Sequence, residues 1–160
     1  MNKILVAYFS ATGTTKKVAE KLAKATGGNL FEIKPQVEYT SEDLNWNDEK
    51  SRSSVEMNDE FSRPEIENVV ENIDDYDTVF VGFPVWWYIP PHIIQTFIEK
   101  HNLSGKKIIT FATSGGSGIK GSTDFLKKNY SDLNIIEGKR FGWNESLESI
   151  GAWVEKIKKF

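Results

Sequence analysis

Ser10, Thr12, Gly13, Thr14 and Thr15 put four hydroxyls and a glycine within six residues, directly behind an apolar run at residues 4–9. Hydroxyls donate hydrogen bonds to anions, and a glycine lets backbone come close to a ligand. If a helix begins here, its first N–H groups and the positive end of its dipole favour the same charge. The chemistry is that of holding a terminal phosphate. GxxxxGK[ST] and GxGxxG spacings are both absent, which argues against nucleotide hydrolysis and ordinary dinucleotide binding. The same residues also suit plain capping, with Ser and Thr closing the helix start and Gly13 shaping the turn.

Two later segments carry unusual chemistry. The first is Pro84, Val85, Trp86, Trp87 and Tyr88; the second is Thr113, Ser114, Gly115, Gly116 and Ser117. Two adjacent tryptophans in an extended loop cannot both face a core, so one is expected at a surface or against a planar ligand. The Ser/Gly loop lets backbone groups reach the polar edge of a heterocycle. Taken singly, one reads as packing beneath a proline turn and the other as a flexible connection. No side chain is assigned as an acid or base: His92 is read as a capping or surface residue, and His101 as a complement to a helix end.

The elements that must position these residues alternate strand and helix. Strands are predicted at residues 4–9, 29–34, 78–83, 107–113 and 133–141. Helices are predicted at 14–26, 66–73 and 122–130, another opens at Pro90–Pro91, and a last carries Leu147, Ile150, Val154 and Ile157 on one face, capped by Asn144. The first and third strands are continuously apolar, as strands covered on both faces are. The fold class is therefore α/β, a three-layer α/β/α arrangement around a parallel sheet with right-handed crossovers. Ligands in such folds bind beyond the carboxyl ends of the strands, where strand order reverses. All three chemical segments fall at strand ends. Residues 36–65 read as an elaborated connection with Trp46, Val55, Met57 and Phe61 as scattered anchors.

The 160 residues suit a single domain spanning 1–160. Cysteine is absent, which excludes disulfides, thiolate catalysis and cysteine–metal sites, and two histidines do not make a His-rich metal site. The apolar run at the N-terminus is shorter than a signal-peptide core and no segment reaches membrane-spanning length, so a cytoplasmic protein without membrane association is expected. Net charge is −3, but residues 38–75 hold 13 acidic against 3 basic residues, a local −10 that leaves +7 elsewhere. This reads as a solvated acidic excursion, or as a dipolar surface that orients a charged partner. No basic stripe interleaved with aromatics supports nucleic-acid binding.

KILVAYFSATGTTKKVA, VGFPVWWYIPPHIIQTFIE and ITFATSGGSG together resemble the flavodoxin-like FMN-binding proteins, in their short-chain form. The resemblance implies five strands in the order 2-1-3-4-5. It implies that residues 10 and 12–15 hold the FMN phosphate, that residues 84–88 cover one edge and face of the isoalloxazine with Trp86 or Trp87 nearest, and that residues 113–117 form the second flavin loop. That second loop lacks the acids and the aromatic of electron-carrying flavodoxins. The P-x-W-W-Y-x-x-P run also looks like the corresponding loop of NAD(P)H:quinone reductases. The implied function is electron transfer through non-covalently bound FMN with a redox partner protein. Alternatives are an FMN-dependent NAD(P)H:quinone-type oxidoreductase serving a small acceptor, and a non-catalytic FMN-binding module. Monomer and homodimer are both compatible with it.

Overall fold

A computed structural model describes residues 3–157. Strands β1 (Ile4–Tyr8), β2 (Asn29–Glu32), β3 (Thr78–Pro84), β4 (Lys107–Thr113) and β5 (Asn134–Phe141) form one parallel sheet in the order β2-β1-β3-β4-β5. The apolar runs explain it. Leu5, Ala7 and Phe9 enter one core while Val6 and Tyr8 enter another, so the central strands β1, β3 and β4 have two faces to bury, whereas the edge strands β2 and β5 stay partly exposed. Helices α3 (His92–Lys100) and α4 (Lys120–Asn129) cover the first face with Ile93, Ile94, Phe97 and Leu126. Helices α1 (Thr14–Thr26) and α5 (Leu147–Ile157) cover the second with Val18, Leu22, Ile150, Trp153 and Val154. A short helix, α2 (Arg52–Asn58), lies in the polar excursion.

Register then decides what meets at the site. Tyr8 pairs with Gly82, Pro84 with Thr113, and Thr113 with Phe141, so the loops that follow β1, β3, β4 and β5 emerge side by side. Gly82 is required by packing: a Cβ there would lie 2.1 Å from the ring of fully buried Phe111.

Three local expectations are corrected. The helix expected at residues 66–73 does not form, although Ile66, Val70 and Ile73 are buried at helical spacing. Its backbone is engaged elsewhere. Ile66 bridges Pro35, Glu67 N–H donates to the Lys34 carbonyl, and only a 3-10 turn at Ile73–Asp75 remains helical. α2 instead arises within the stretch expected to be a connection, capped by Ser51, which accepts from Ser54 N–H. α5 is capped by Ser146, whose Oγ accepts from Ser149 N–H at 3.1 Å, and not by Asn144.

His92 is neither a cap nor at the surface, being only 2% exposed. Ser62 spends its proton on the Glu56 carbonyl and so accepts from His92 Nδ1 at 2.7 Å. His101 does sit at the end of α3, where Nδ1 donates to the Phe97 carbonyl, but its Nε2 accepts from Val70 N–H at 2.8 Å. Acceptance at Nε2 holds the His101 ring neutral, and both rings tie residues 56–70 to α3.

Gly82→Ala should lose about 1–3 kcal/mol through overpacking, read as a lower urea midpoint with unchanged slope; an unaltered midpoint would show that Phe111 can yield. A second outcome concerns pH. Burial lowers both imidazole pKa values from 6.5, with the nearby Arg63 charge adding to the effect at His92 against Glu56 and Asp59. The unfolded chain therefore binds protons more readily. The stability these rings supply is complete above about pH 6.5 and declines as pH falls through the folded values. The urea midpoint should be lower near pH 5.5 than near pH 7.5, and His101→Gln should shrink the difference. A midpoint that rises on acidification contradicts this assignment.

Candidate functional site

At the carboxyl ends of the strands lies a cavity of about 610 Å³. That is the size class of small-molecule sites, roughly 300–1,000 Å³. Thr12, Thr14, residues 84–88, Thr113, Ser114, Gly115 and Ser117 line it. Ser10, Gly13, Thr15 and Gly116 do not, and the first three act from behind the wall. Gly13, at φ 96°, turns the chain into α1 in the left-handed region that glycine tolerates best. Ser10 Oγ accepts from Gly13 N–H at 3.0 Å and Lys16 N–H at 3.2 Å. Both its lone pairs are then used, which leaves its proton to donate. Thr15 is buried, and its hydroxyl pairs with that of Thr113 at 2.8 Å, joining the first loop to the last. Gly116 is exposed beyond the lining.

This end of the cavity favours an anion for a further reason. The first turn of α1 has no acidic residue and instead carries Lys16 and Lys17. Cations at a helix N-terminus oppose the macrodipole, so negative charge near this end of α1 is favoured. The Thr12 and Thr14 hydroxyls lie 3.5 Å apart at the same place.

The aromatic wall is built in two layers. Trp86 packs inward, edge to face with Phe9 (5.8 Å between ring centres) and Tyr39 (5.6 Å). Trp87 and Tyr88 point outward from a two-residue hairpin closed by reciprocal bonds, Trp86 N–H to the Ile89 carbonyl and Ile89 N–H to the Trp86 carbonyl. Trp87 and Tyr88 take φ values of 48° and 69°. Asn-Gly would relax in this turn, whereas bulky residues strain it by about 1 kcal/mol each. The hairpin keeps two large rings at a position that disfavours them.

The opposite wall depends on a residue far away in sequence. Arg140, on β5, donates from Nε to Ser114 Oγ at 3.0 Å and from its terminal nitrogen to the Ser114 carbonyl at 2.9 Å. Ser114 Oγ in turn donates to the Ser117 carbonyl. A loop without charge in its own sequence is thus braced by a guanidinium.

Sequence reasoning also missed Leu44, Trp46, Ser53 and Trp143 as lining residues. The first three belong to the polar excursion, which folds back as a wall of the cavity. Arg52 holds it there: Nε donates to Glu56 Oε2 at 2.9 Å, Nη1 to the Val37 carbonyl at 2.6 Å, and Cζ lies 3.8 Å from the Tyr39 ring centre. Tyr39 donates its hydroxyl to the other Glu56 oxygen. Burial, with that carboxylate, holds the Tyr39 pKa far above the usual phenol range, so the proton stays. The clue was the Arg52–Glu56 spacing of four, but only folding puts Tyr39 beneath Trp86. Among the described residues no group of three or more His, Cys, Asp or Glu side chains can hold a metal, and no helix is long and apolar enough to cross a membrane.

The Flavodoxin family model matches residues 3–157. The chain is similar to a candidate flavoprotein from Bacteroides eggerthii DSM 20697, with 54% identity, a TM-score of 0.94, and 99% of both chains covered. It is similar at 26% identity and a TM-score of 0.67 to a flavoprotein in complex with FMN from Lactobacillus acidophilus NCFM, covering 88% of this chain and 93% of that one. Flavodoxin 2 from Bacillus cereus, at 16% identity and a TM-score of 0.60 over 99% of both chains, shares the fold. No curated protein matches the chain.

Arg52→Met should cost about 1–3 kcal/mol, since it leaves the Glu56 carboxylate and the Val37 carbonyl without their donor. Tryptophan emission should shift to the red as Tyr39 leaves Trp86. Arg52→Lys should recover little of either, because one ammonium cannot replace the planar fork; full recovery by lysine would reduce Arg52 to a simple charge.

Proposed function

The chain belongs to the flavodoxin family, and on that premise we propose that it is a redox protein that holds FMN non-covalently and passes electrons through it. One observation carries the reading: a cavity with an anion site at one end and an uncharged aromatic wall along the rest. FMN has that shape of polarity, a phosphate at one end and a planar ring at the other. Thr12, Thr14, the Ser10 proton and the first N–H groups of α1 hold the phosphate. Trp86 and Trp87 cover the ring, and the backbone of residues 113–117, braced by Arg140, meets its polar edge. Bound FMN supplies the chemistry, taking up and releasing one or two electrons. The protein supplies orientation and excludes water from one side.

Charge supports one source of electrons over another. Among the described residues that line the cavity none is charged, and its one anion site is taken by the FMN phosphate. A nicotinamide dinucleotide would bring a pyrophosphate with no second site to receive it. This favours a protein donor over NAD(P)H. The aromatic rim favours, as a second reading on the acceptor side, a small planar molecule.

The protein should bind FMN stoichiometrically. Thr14→Val or Thr12→Val should weaken FMN by ten- to a hundredfold, as expected of about 1.5–3 kcal/mol for a hydrogen bond to a charged group, yet change riboflavin affinity little. Equal losses for both ligands would remove the phosphate role. Stopped-flow mixing with NADH or NADPH should leave the flavin oxidised unless a separate reductase is added, and prompt bleaching would instead establish direct reduction.

A further inference from the structure

Residues 113–117, the loop that follows β4, include no charged side chain, yet a cation is fixed to them. Arg140 reaches across from β5, with Nε donating to Ser114 Oγ at 3.0 Å and Nη2 to the Ser114 carbonyl at 2.9 Å. Ser114 lines the cavity and Arg140 does not, so the guanidinium stands one residue behind the wall. Among the described residues Arg140 forms no ion pair. Glu145 feels its charge, but that carboxylate also feels Lys139 and is engaged by Gly142 N–H and Ser149 Oγ.

The same hydrogen bonds decide which polar groups the loop has left to offer. The Thr113 carbonyl accepts from Val85 N–H, the Ser114 carbonyl from Arg140, and the Ser117 carbonyl from Ser114 Oγ. Ser114 Oγ donates in that direction because Arg140 already uses it as an acceptor. The N–H groups of Gly115, Gly116 and Ser117, by contrast, donate to no acceptor among the described residues. Acceptors are consumed and donors remain.

We propose that Arg140 sets the redox balance of the bound flavin, by making the second loop a donating, positively charged edge that holds reduced FMN more tightly than oxidised FMN. The inference rests on the FMN reading. When the flavin takes two electrons from its protein donor, which is oxidised, and one proton from solvent, its ring system gains one negative charge at the polar edge that residues 113–117 meet. A fixed cation and free N–H groups at that edge favour the charged form. An acidic loop would act in the opposite sense. Each tenfold preference for the reduced form raises the two-electron midpoint potential by about 30 mV.

The test is a spectroelectrochemical titration of the FMN-loaded full-length chain, with the affinity for oxidised FMN measured separately by quenching of flavin fluorescence. Arg140→Gln keeps an amide donor and removes the charge. It should weaken reduced FMN roughly tenfold relative to oxidised FMN, and so lower the midpoint potential by about 30 mV. Arg140→Lys should keep most of the wild-type potential although its ammonium cannot reproduce the planar fork, because a unit charge outweighs the redirected loop dipoles. An unmoved potential in Arg140→Gln, with both flavin states weakened equally or not at all, overturns the proposal and leaves the FMN reading intact. A lysine variant whose potential falls as far as that of glutamine also overturns it, by reducing Arg140 to a structural brace. Failure of the wild-type chain to take up FMN removes the FMN reading and this inference with it.

Discussion

The structure depends on three central strands, β1, β3 and β4, that must be dry on both faces. Val6, Tyr8, Phe80 and Phe111 on one side, and Leu5, Ala7, Val81 and Ala112 on the other, leave no face for water. At roughly 25 cal/mol per Å² of apolar surface, this burial dominates other favourable contributions. A sheet so constrained takes helices above and below, its connections cross over, and the loops at the carboxyl ends are left to do chemistry. Gly82 shows how tight the constraint is, since one added carbon would collide with a ring of the neighbouring strand.

Within that frame the cavity is electrically divided. One end offers the Thr12 and Thr14 hydroxyls beside the N-terminus of α1; the remainder offers indole, phenol, proline and glycine. Charges that could disturb the division are neutralised or set behind the wall. Arg140 is spent on Ser114, and Arg52 on Glu56 and a carbonyl. An amphiphilic ligand is oriented by such a site without any catalytic acid or base.

The polar excursion shows how a segment with little apolar content still acquires a fixed place. Glu56 receives both Arg52 and Tyr39, Tyr39 packs on Phe9 and Trp86, and His92 and His101 fasten residues 56–70 to α3. Each polar group is satisfied by another from a different segment, and together they press one wall against the hydrophobic sheet. Such a network rigidifies when complete and fails when any member is removed. The acidic surplus of residues 38–75 stays largely at the solvent side of this arrangement.

The strands, most of the helices and the three strand-end loops are legible in the sequence because they rest on local signals: apolar runs, helical spacing, Gly13 and Gly27 at the ends of α1. The same signals fail at residues 66–73, where Ile66, Val70 and Ile73 have helical spacing but Lys34 and His101 claim the backbone N–H groups. His92 reads as a surface residue because the serine that pairs with it lies 30 positions away. Trp46 reads as a scattered anchor and Trp143 carries no local signal, although the two share a cavity. The sequence by itself determined the sheet, its order by resemblance, and the glycine turn that starts α1 at the strand end, since these follow from neighbours along the chain. Only the tertiary structure decided which indole packs inward, what braces the uncharged loop, and which residues of the excursion face the cavity. Those outcomes depend on contacts between segments far apart in the chain, where hydrogen bonds and packing compete with local preference.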